Sequence, residues 1–207
     1  MRRRTVLTSR GRSALTSGAI RAALVGLLLG FLAPAAQAAP RLDGIAIGDS
    51  VMLGAKYQLQ RKGFDVVDAA VSRQAATGPG LLRKRGAKLP YNVVVHLGSN
   101  GTYTKAMCRD LVQTAGSQRR VFLVTIKVPR SYEAKNNRML RSCAAEFSPD
   151  RVRVVDWNWA ASRRPDWLYA DGIHLRPQGA RAFARIMRNA ITTANESEQF
   201  ATFTGPR

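Results

Sequence analysis

The stretch GIAIGDSVMLG, residues 44–54, joins a short apolar run to a polar turn and then to a second apolar run. The small and apolar residues before Asp49 are typical of a strand covered on both faces, and residues 51–62 continue as a helix candidate. In an open α/β sheet, a serine between a strand and a helix can turn its hydroxyl toward the crevice at the carboxyl edge. Ser50 is therefore a candidate nucleophile, although a simple helix cap by Asp49 or Ser50 gives the same pattern.

The same alternation of a buried strand and an amphipathic helix continues along the chain. Runs such as Val93-Val94-Val95 are continuously apolar, as expected for parallel strands between two helical layers. We therefore predict a three-layer α/β/α sandwich with a five-stranded parallel sheet in the flavodoxin-like order 2-1-3-4-5. In that order, right-handed crossovers put the helices after strands two, three and four on one face. The predicted strands are residues 44–48, 64–68, 92–97, 120–128 and 151–157. The predicted helices lie near 51–62, 79–89, 104–116 and 132–146, and the last one runs from Pro177 to about Asn195.

The two ends of the chain differ in composition from the part between them. Residues 1–38 combine a basic start, an apolar run over 22–32 and the small-x-small sequence Ala36-Gln37-Ala38, which is typical of a cleaved signal peptide. An uncleaved N-terminal anchor is the alternative. We expect one α/β domain over 39–195, a polar and frayed C-terminal tail over 196–207, and export to the periplasm or the cell exterior.

The chain is strongly basic, with 33 Lys and Arg residues against 13 Asp and Glu residues. Without the six arginines of the predicted signal peptide, 27 basic residues and a net charge of +14 remain. Nucleic acid is a common partner of such a charge, but export and the lack of a zinc-ligand cluster or RNA-binding aromatic signature argue against it. We expect no nucleic acid partner, no metal and no cofactor. An anionic cell envelope attracts the same charge, and a generally basic solvated surface is the alternative.

Cys108 and Cys143 are the two cysteines of the chain. In an oxidising compartment an even number of cysteines favours a disulfide. The predicted topology supports this pairing, because it places the helices that carry the two residues side by side. Two buried free thiols are the alternative.

The connection between the fifth strand and the last helix, residues 158–176, is long for a compact domain and fits neither a strand nor a helix. It contains Asp171 and His174. The His174 ring can accept the Ser50 proton through one nitrogen and donate to Asp171 through the other, which fixes the tautomer. A surface turn at Asp171 and Gly172 is the alternative.

His96 and the tryptophans of the same region have structural interpretations. His96 lies inside an apolar strand, and we interpret it as a structural histidine whose hydrogen bonds are satisfied. Trp157, Trp159 and Trp167 either pack the long connection against the core or line a sugar or acyl pocket beside His174.

Three short motifs resemble the sequence blocks of the SGNH (GDSL) hydrolase superfamily. Gly48-Asp49-Ser50, Gly98-Ser99-Asn100 and Asp171-Gly172-Ile173-His174 occur in the order of that superfamily, and the resemblance covers nearly all of the predicted domain. Residues 94–101, VVHLGSNG, are similar to the extracytoplasmic domains of peptidoglycan O-acetyltransferases. The resemblance implies a hydrolase-type α/β fold and acyl chemistry at a serine.

The resemblance also implies a role for each matching residue. Ser50 is the nucleophile, His174 the base and Asp171 its orienting partner. The oxyanion hole would use the Ser50 backbone N–H, the side-chain amide of Asn100 and one further backbone N–H. A glycine of the family's second block usually supplies that donor, and Ser72 stands at its place, although serine adopts unusual backbone angles less readily. A turn cap after the strand is the alternative for Asn100.

The implied chemistry leaves the acyl acceptor open. We expect an esterase that cleaves short acyl esters, above all acetyl esters, on cell-envelope glycans. An O-acetyltransferase acting on peptidoglycan or another envelope polysaccharide is the close alternative, and it needs a membrane acyl-donor protein as a partner. A non-catalytic module that binds envelope glycan is the third possibility.

Overall fold

The computed structural model describes residues 41–204, with side chains described as far as Gln199. The predicted signal peptide, residues 1–38, lies outside the described residues. Within residues 41–204, no helix has both the length and the apolar character that a membrane crossing requires.

Five parallel strands form the sheet of the described part, in the order β2-β1-β3-β4-β5. This order confirms the predicted topology, and it places the carboxyl ends of β1 and β3 side by side. The strands are β1 (Gly44–Gly48), β2 (Val66–Ala69), β3 (Asn92–His96), β4 (Arg120–Val124) and β5 (Val152–Val155).

The ends of β4 and β5 come earlier than the apolar pattern predicts. After β4, the backbone N–H of Ile126 donates to the Asn137 side chain at 2.8 Å, so the apolar residues that follow belong to a connection. After β5, the Asp156 side chain accepts the backbone N–H of Trp159 at 3.2 Å and begins a new helix at Trp157. Capping and side-chain contacts therefore end strands that periodicity alone would extend.

Helices cover both faces of the sheet. Along the central strand β3, Val93 and Val95 face one layer while Val94 faces the other, as the two-residue period of a strand requires. The layer facing Val93 and Val95 contains the three helices that follow β2, β3 and β4, which confirms their predicted common face. The helices of the described part are α1 (Ser50–Gly54), α2 (Lys56–Arg61), α3 (Gly78–Arg85), α4 (Lys105–Ala115), α5 (Glu133–Ala144), α6 (Trp157–Ser162) and α7 (Pro177–Thr204).

Two predicted irregular segments are helical in part. Residues 158–176 include most of α6 and a 3₁₀ turn over Pro165–Trp167, so only the remainder is irregular. The predicted end of the last helix near Asn195 is wrong, because α7 continues as far as Thr204 and includes most of the predicted polar tail. Glu198 holds this extension by accepting hydrogen bonds from Tyr91 at 2.7 Å and from the buried Arg120 at 2.6 Å.

A disulfide joins Cys108 of α4 to Cys143 of α5, as the sequence predicts. Both residues are fully buried in the layer on which these two helices pack. The two cysteines that the bond joins are 35 residues apart in the sequence. The bond therefore restricts the unfolded chain between α4 and α5.

Replacing both cysteines with alanine is expected to lower the free energy of unfolding by about 3–4 kcal/mol, because the unfolded chain regains the entropy that the closed loop removes. Urea unfolding followed by tryptophan fluorescence measures the difference. Reduction of the wild-type protein should give a similar loss. A loss below about 1 kcal/mol in both experiments would contradict the stabilising role of the disulfide.

Candidate active site

Ser50 lies where β1 passes into α1, at the carboxyl edge of the sheet. Asp49 caps the helix, because its Oδ1 accepts the backbone N–H of Val51 at 3.1 Å. Asp49 is fully buried whereas Ser50 is partly exposed, so the cap points into the protein and leaves the serine at the crevice. The helix cap is therefore supplied by Asp49, and the Ser50 hydroxyl is left available at the crevice.

The loop that carries His174 is held by its own hydrogen bonds. Leu168 and Leu175 form an antiparallel bridge, and the Tyr169 backbone N–H donates to the His174 carbonyl at 2.9 Å. Asp171 Oδ1 accepts the backbone N–H groups of Ile173 at 2.9 Å and His174 at 3.0 Å. The turn that the sequence offered as an alternative exists, and it orients Asp171 toward the histidine.

The structure brings Ser50, His174 and Asp171 into one hydrogen-bonded chain. His174 Nδ1 lies 2.7 Å from Asp171 Oδ2, and His174 Nε2 lies 3.1 Å from Ser50 Oγ. Burial raises the pKa of Asp171, but the hydrogen bonds from His174 and the two backbone N–H groups outweigh it and hold that pKa below its ordinary value. An ionised Asp171 favours a proton on Nδ1, which leaves Nε2 free to accept the serine proton.

Asn100 follows β3, in a loop next to the Ser50 turn. Asn136 of α5 holds this loop by donating to the Gly98 carbonyl at 3.1 Å and the Gly101 carbonyl at 2.8 Å. The Asn100 Nδ2 group donates to the Arg73 carbonyl at 3.3 Å. The loops of Ser72 and Asn100 are therefore in direct contact, as an oxyanion hole built from both would require.

Arg73 fixes the loop that carries Ser72. Its guanidinium pairs with Asp68 of β2 at 2.8 Å and donates to the carbonyl of Gly48, the last residue of β1, at 3.2 Å. These contacts tie the loop to the two strand ends beside Ser50. This role of Arg73 was not predicted from the sequence. The signal that could have indicated it was a basic residue next to Ser72.

Ser72 has a backbone φ of +56°, in the left-handed region where glycine is favoured. The sequence predicts this conflict, because Ser72 stands where the family usually has glycine. A non-glycine residue in this region carries about 1 kcal/mol or more of strain, which the surrounding contacts must offset.

Ser72→Gly is expected to raise the free energy of unfolding by about 0.5–1 kcal/mol, since relief of the left-handed strain exceeds the added flexibility of the unfolded chain. Urea unfolding at neutral pH checks the change. Ser117→Gly, at an exposed position near the start of β4, serves as a control that should lose stability instead. A destabilised Ser72→Gly protein would show that the loop does not strain the serine.

Asp49 and His96 form a buried pair behind the nucleophile. His96 Nδ1 lies 3.3 Å from Asp49 Oδ1, and Asp49 Oδ2 accepts the backbone N–H of Ser99 at 3.2 Å. Burial raises the pKa of Asp49, but His96 and the hydrogen bonds from Ser99 and Val51 outweigh it and lower that pKa overall. One carboxylate thus connects the Ser50 turn to the Asn100 loop.

The interpretation of His96 as structural needs one correction. Its ring is fully buried, but Nε2 has no hydrogen-bond partner among the described residues, so only one nitrogen is satisfied. His96 pairs in register with Gly48 on β1, and this register brings it next to Asp49. That contact depends on the pairing of two strands distant in sequence, which the sequence pattern does not display.

Two of the three tryptophans match the packing interpretation. Trp157 is buried and stacks on Trp167 with ring centroids 5.9 Å apart, so these two pack the long connection against the core. Trp159 is 56% exposed and lies under the Arg163 guanidinium.

Across residues 41–204, no cluster of three or more His, Cys, Asp or Glu side chains is arranged to hold a metal ion.

Comparison with known proteins identifies related chains. No protein-family model matches the sequence. The O-acetyltransferase OatA of Staphylococcus aureus is 33% identical over 153 residues, which are 72% of this chain and 25% of the relative. The peptidoglycan O-acetyltransferase OatA of Listeria monocytogenes is 29% identical over 154 residues, which are 71% of this chain and 24% of the relative. The chain thus spans about a quarter of the length of the curated relatives it matches.

A solved structure extends the comparison to the fold. The catalytic domain of peptidoglycan O-acetyltransferase A from Streptococcus pneumoniae, solved with a methylsulfonyl adduct, matches with a TM-score of 0.66 and 25% identity. The match covers 77% of this chain and 97% of that domain. By its motifs, its fold and these relatives, the chain belongs to the SGNH (GDSL) superfamily of serine ester hydrolases and O-acyltransferases.

Proposed function

We propose that this chain transfers acetyl groups to peptidoglycan through an acyl-enzyme on Ser50. The observation that carries the proposal is the unbroken chain from Asp171 through His174 to Ser50, with links of 2.7 and 3.1 Å. A nucleophile, its base and an orienting carboxylate at these distances are what acyl transfer requires. The similarity to OatA proteins supports acetyl as the acyl group and peptidoglycan as the acceptor.

In the first half of the reaction, His174 Nε2 removes the Ser50 hydroxyl proton while Oγ attacks the carbonyl carbon of the acetyl donor. The tetrahedral intermediate collapses, the bond to the donor oxygen breaks, and that oxygen takes the proton from His174. Asp171 stabilises the imidazolium while it exists. The products of this half are an acetylated Ser50 and a free alcohol on the donor.

In the second half, His174 removes a proton from a sugar hydroxyl, which attacks the acetylated serine. The new ester forms on the glycan, and Ser50 recovers its proton from His174. Water in place of the sugar releases acetate, so the same residues serve an esterase. The side chains of His174 and Asp171 are 49% and 44% exposed, and this access to water favours hydrolysis as the second candidate function.

The oxyanion of each tetrahedral intermediate would accept hydrogen bonds from the Ser50 and Ser72 backbone N–H groups and the Asn100 side-chain amide. An amide nitrogen has two donors, so the contact with the Arg73 carbonyl leaves one for the oxyanion. The N-terminal end of α1 adds a favourable field at Ser50. Export to the cell envelope and a membrane protein that supplies the acyl group complete the proposal.

Incubation of the purified protein with an activated acetyl ester, with and without glycan oligomers, tests the choice of acceptor. An acetyltransferase should form ester-linked acetyl on the oligomer at the expense of free acetate. Release of acetate alone, unaffected by the oligomer, would favour the esterase. No turnover of the activated ester would contradict acyl chemistry at this site.

A further inference from the structure

A cavity of about 460 Å³ adjoins the loop of Asp171 and His174. Ala170 and Gly172, which flank Asp171, line it together with residues of α6 and of the connection after β4. Its size falls in the range of pockets that take small molecules or single sugar-sized groups. Neither Ser50 nor His174 lines it, so it neighbours the reacting centre without being part of it.

The described lining of this cavity is cationic and aromatic. Lys127 and Arg176 contribute positive charge, Tyr169 contributes a ring that is 50% exposed, and none of the described lining residues is acidic. A half-exposed tyrosine offers a flat apolar face against which a sugar ring can pack. The combination suits a ligand that is both a sugar derivative and an anion.

Both cations are held in place by contacts within the protein. Arg176 donates from Nε to the Leu168 carbonyl at 2.9 Å, and its guanidinium lies over the Tyr169 ring at 5.4 Å. A guanidinium has four N–H donors besides the one on Nε, which are suited to a carboxylate. Lys127 Nζ lies 3.5 Å from Glu133, whose charge offsets part of its own, so Arg176 carries most of the attraction.

We propose that this cavity is a subsite for a carboxylate of the glycan acceptor, namely that of a muramic acid unit. The proposal rests on the proposed function, in which a sugar hydroxyl of the same glycan reacts at Ser50. Within the hydrogen-bonded chain, Asp171 lies on the side of His174 opposite Ser50. The cavity beside Asp171 therefore receives a part of the glycan away from the reacting hydroxyl, and it gives selectivity for acidic acceptors.

The test measures binding rather than turnover, with Ser50→Ala protein of the full chain at low salt. The probes are an oligosaccharide of alternating N-acetylglucosamine and N-acetylmuramic acid with free carboxylates, and the same oligosaccharide with those carboxylates converted to amides. The carboxylate form is expected to bind about tenfold more tightly, the effect of one charge-assisted hydrogen bond. Added salt should reduce this preference by screening.

Matched variants on the same background locate the effect. Lys127→Gln should reduce the preference slightly, Arg176→Gln should remove most of it, and Arg176→Lys should retain part of it, because the charge remains while the guanidinium donors are lost. Lys88→Gln, exposed near the start of β3 at the opposite edge of the sheet, should keep the full preference. Equal affinity for the two probes, or an unchanged preference in folded Lys127→Gln and Arg176→Gln proteins, would overturn the subsite.

Failure of the subsite and failure of the proposed function give different results. Binding requires no covalent step. If the carboxylate preference is absent, turnover of an activated acetyl ester would still support Ser50 as the nucleophile. Conversely, a wild-type protein that binds the acidic oligosaccharide but never reacts with an acetyl ester would reject the acyl chemistry and retain the subsite.

Discussion

Replacing Ser50 with alanine is expected to lower the turnover of an activated acetyl ester by about 10⁴-fold or more. The residual rate should be that of an oxyanion hole without a nucleophile. The fold should be retained, because Ser50 is partly exposed and the helix cap is supplied by Asp49. Steady-state assays with a chromogenic acetyl ester, combined with thermal unfolding, measure both quantities.

Ser117→Ala is the matched control for Ser50→Ala, since Ser117 is exposed in the turn before β4 and far from the carboxyl edge of the sheet. Its turnover should equal that of the wild-type protein. Wild-type turnover in pure Ser50→Ala protein would reject Ser50 as the nucleophile and, with it, the role of His174 as its base.

Replacing Asn100 with alanine is expected to lower kcat by about 10²–10³-fold, the usual effect of removing one oxyanion donor. KM should change little, because the oxyanion exists in the transition state and not in the bound ester. Asn100→Asp should give a loss at least as large, since it retains the size of the side chain but replaces the donor with a negative charge.

The folding of the Asn100 variants should remain close to wild type, because Asn136 holds the loop through the Gly98 and Gly101 carbonyls. Asn189→Ala, at an exposed position of α7, is the control for loss of an amide side chain. An unchanged kcat in Asn100→Ala would assign Asn100 to the turn and not to the oxyanion hole.

The sequence predicts the fold well because parallel strands covered on both faces have an unmistakable pattern. The apolar runs around Val94 and Phe122 mark β3 and β4. The flavodoxin-like strand order, combined with right-handed crossovers, then places the helices of Cys108 and Cys143 side by side, as observed. The predicted strand ends are wrong where a side-chain hydrogen bond ends the strand, as the helix cap by Asp156 does. The extension of α7 also depends on a contact with Tyr91, which lies more than a hundred residues earlier in the chain.

The candidate site is readable from sequence where the residues form local motifs. Asp171 and His174 are three residues apart, so their contact follows from one turn. The Asp49–His96 pair, the Arg73 contacts and the positive φ of Ser72 arise from strand pairing and loop packing between distant segments. The sequence indicates an unfavourable backbone conformation at Ser72 only through the family resemblance, which places a glycine at this position.

The choice between water and a sugar as acyl acceptor is made outside the catalytic residues. The sequence alone favours an esterase, whereas the similarity to OatA proteins over 72% of the chain supports the proposed O-acetyl transfer to peptidoglycan. The cationic cavity beside Asp171 suggests how an acidic glycan can be held near Ser50 for that reaction.

Covalent labelling tests the central claim, nucleophilic catalysis by Ser50, most directly. Methanesulfonyl fluoride should transfer one methylsulfonyl group to each wild-type chain, peptide mapping should locate it on Ser50, and loss of ester turnover should parallel the labelling. Inactivation with the label on another residue, or full turnover after complete labelling of Ser50, would contradict the account.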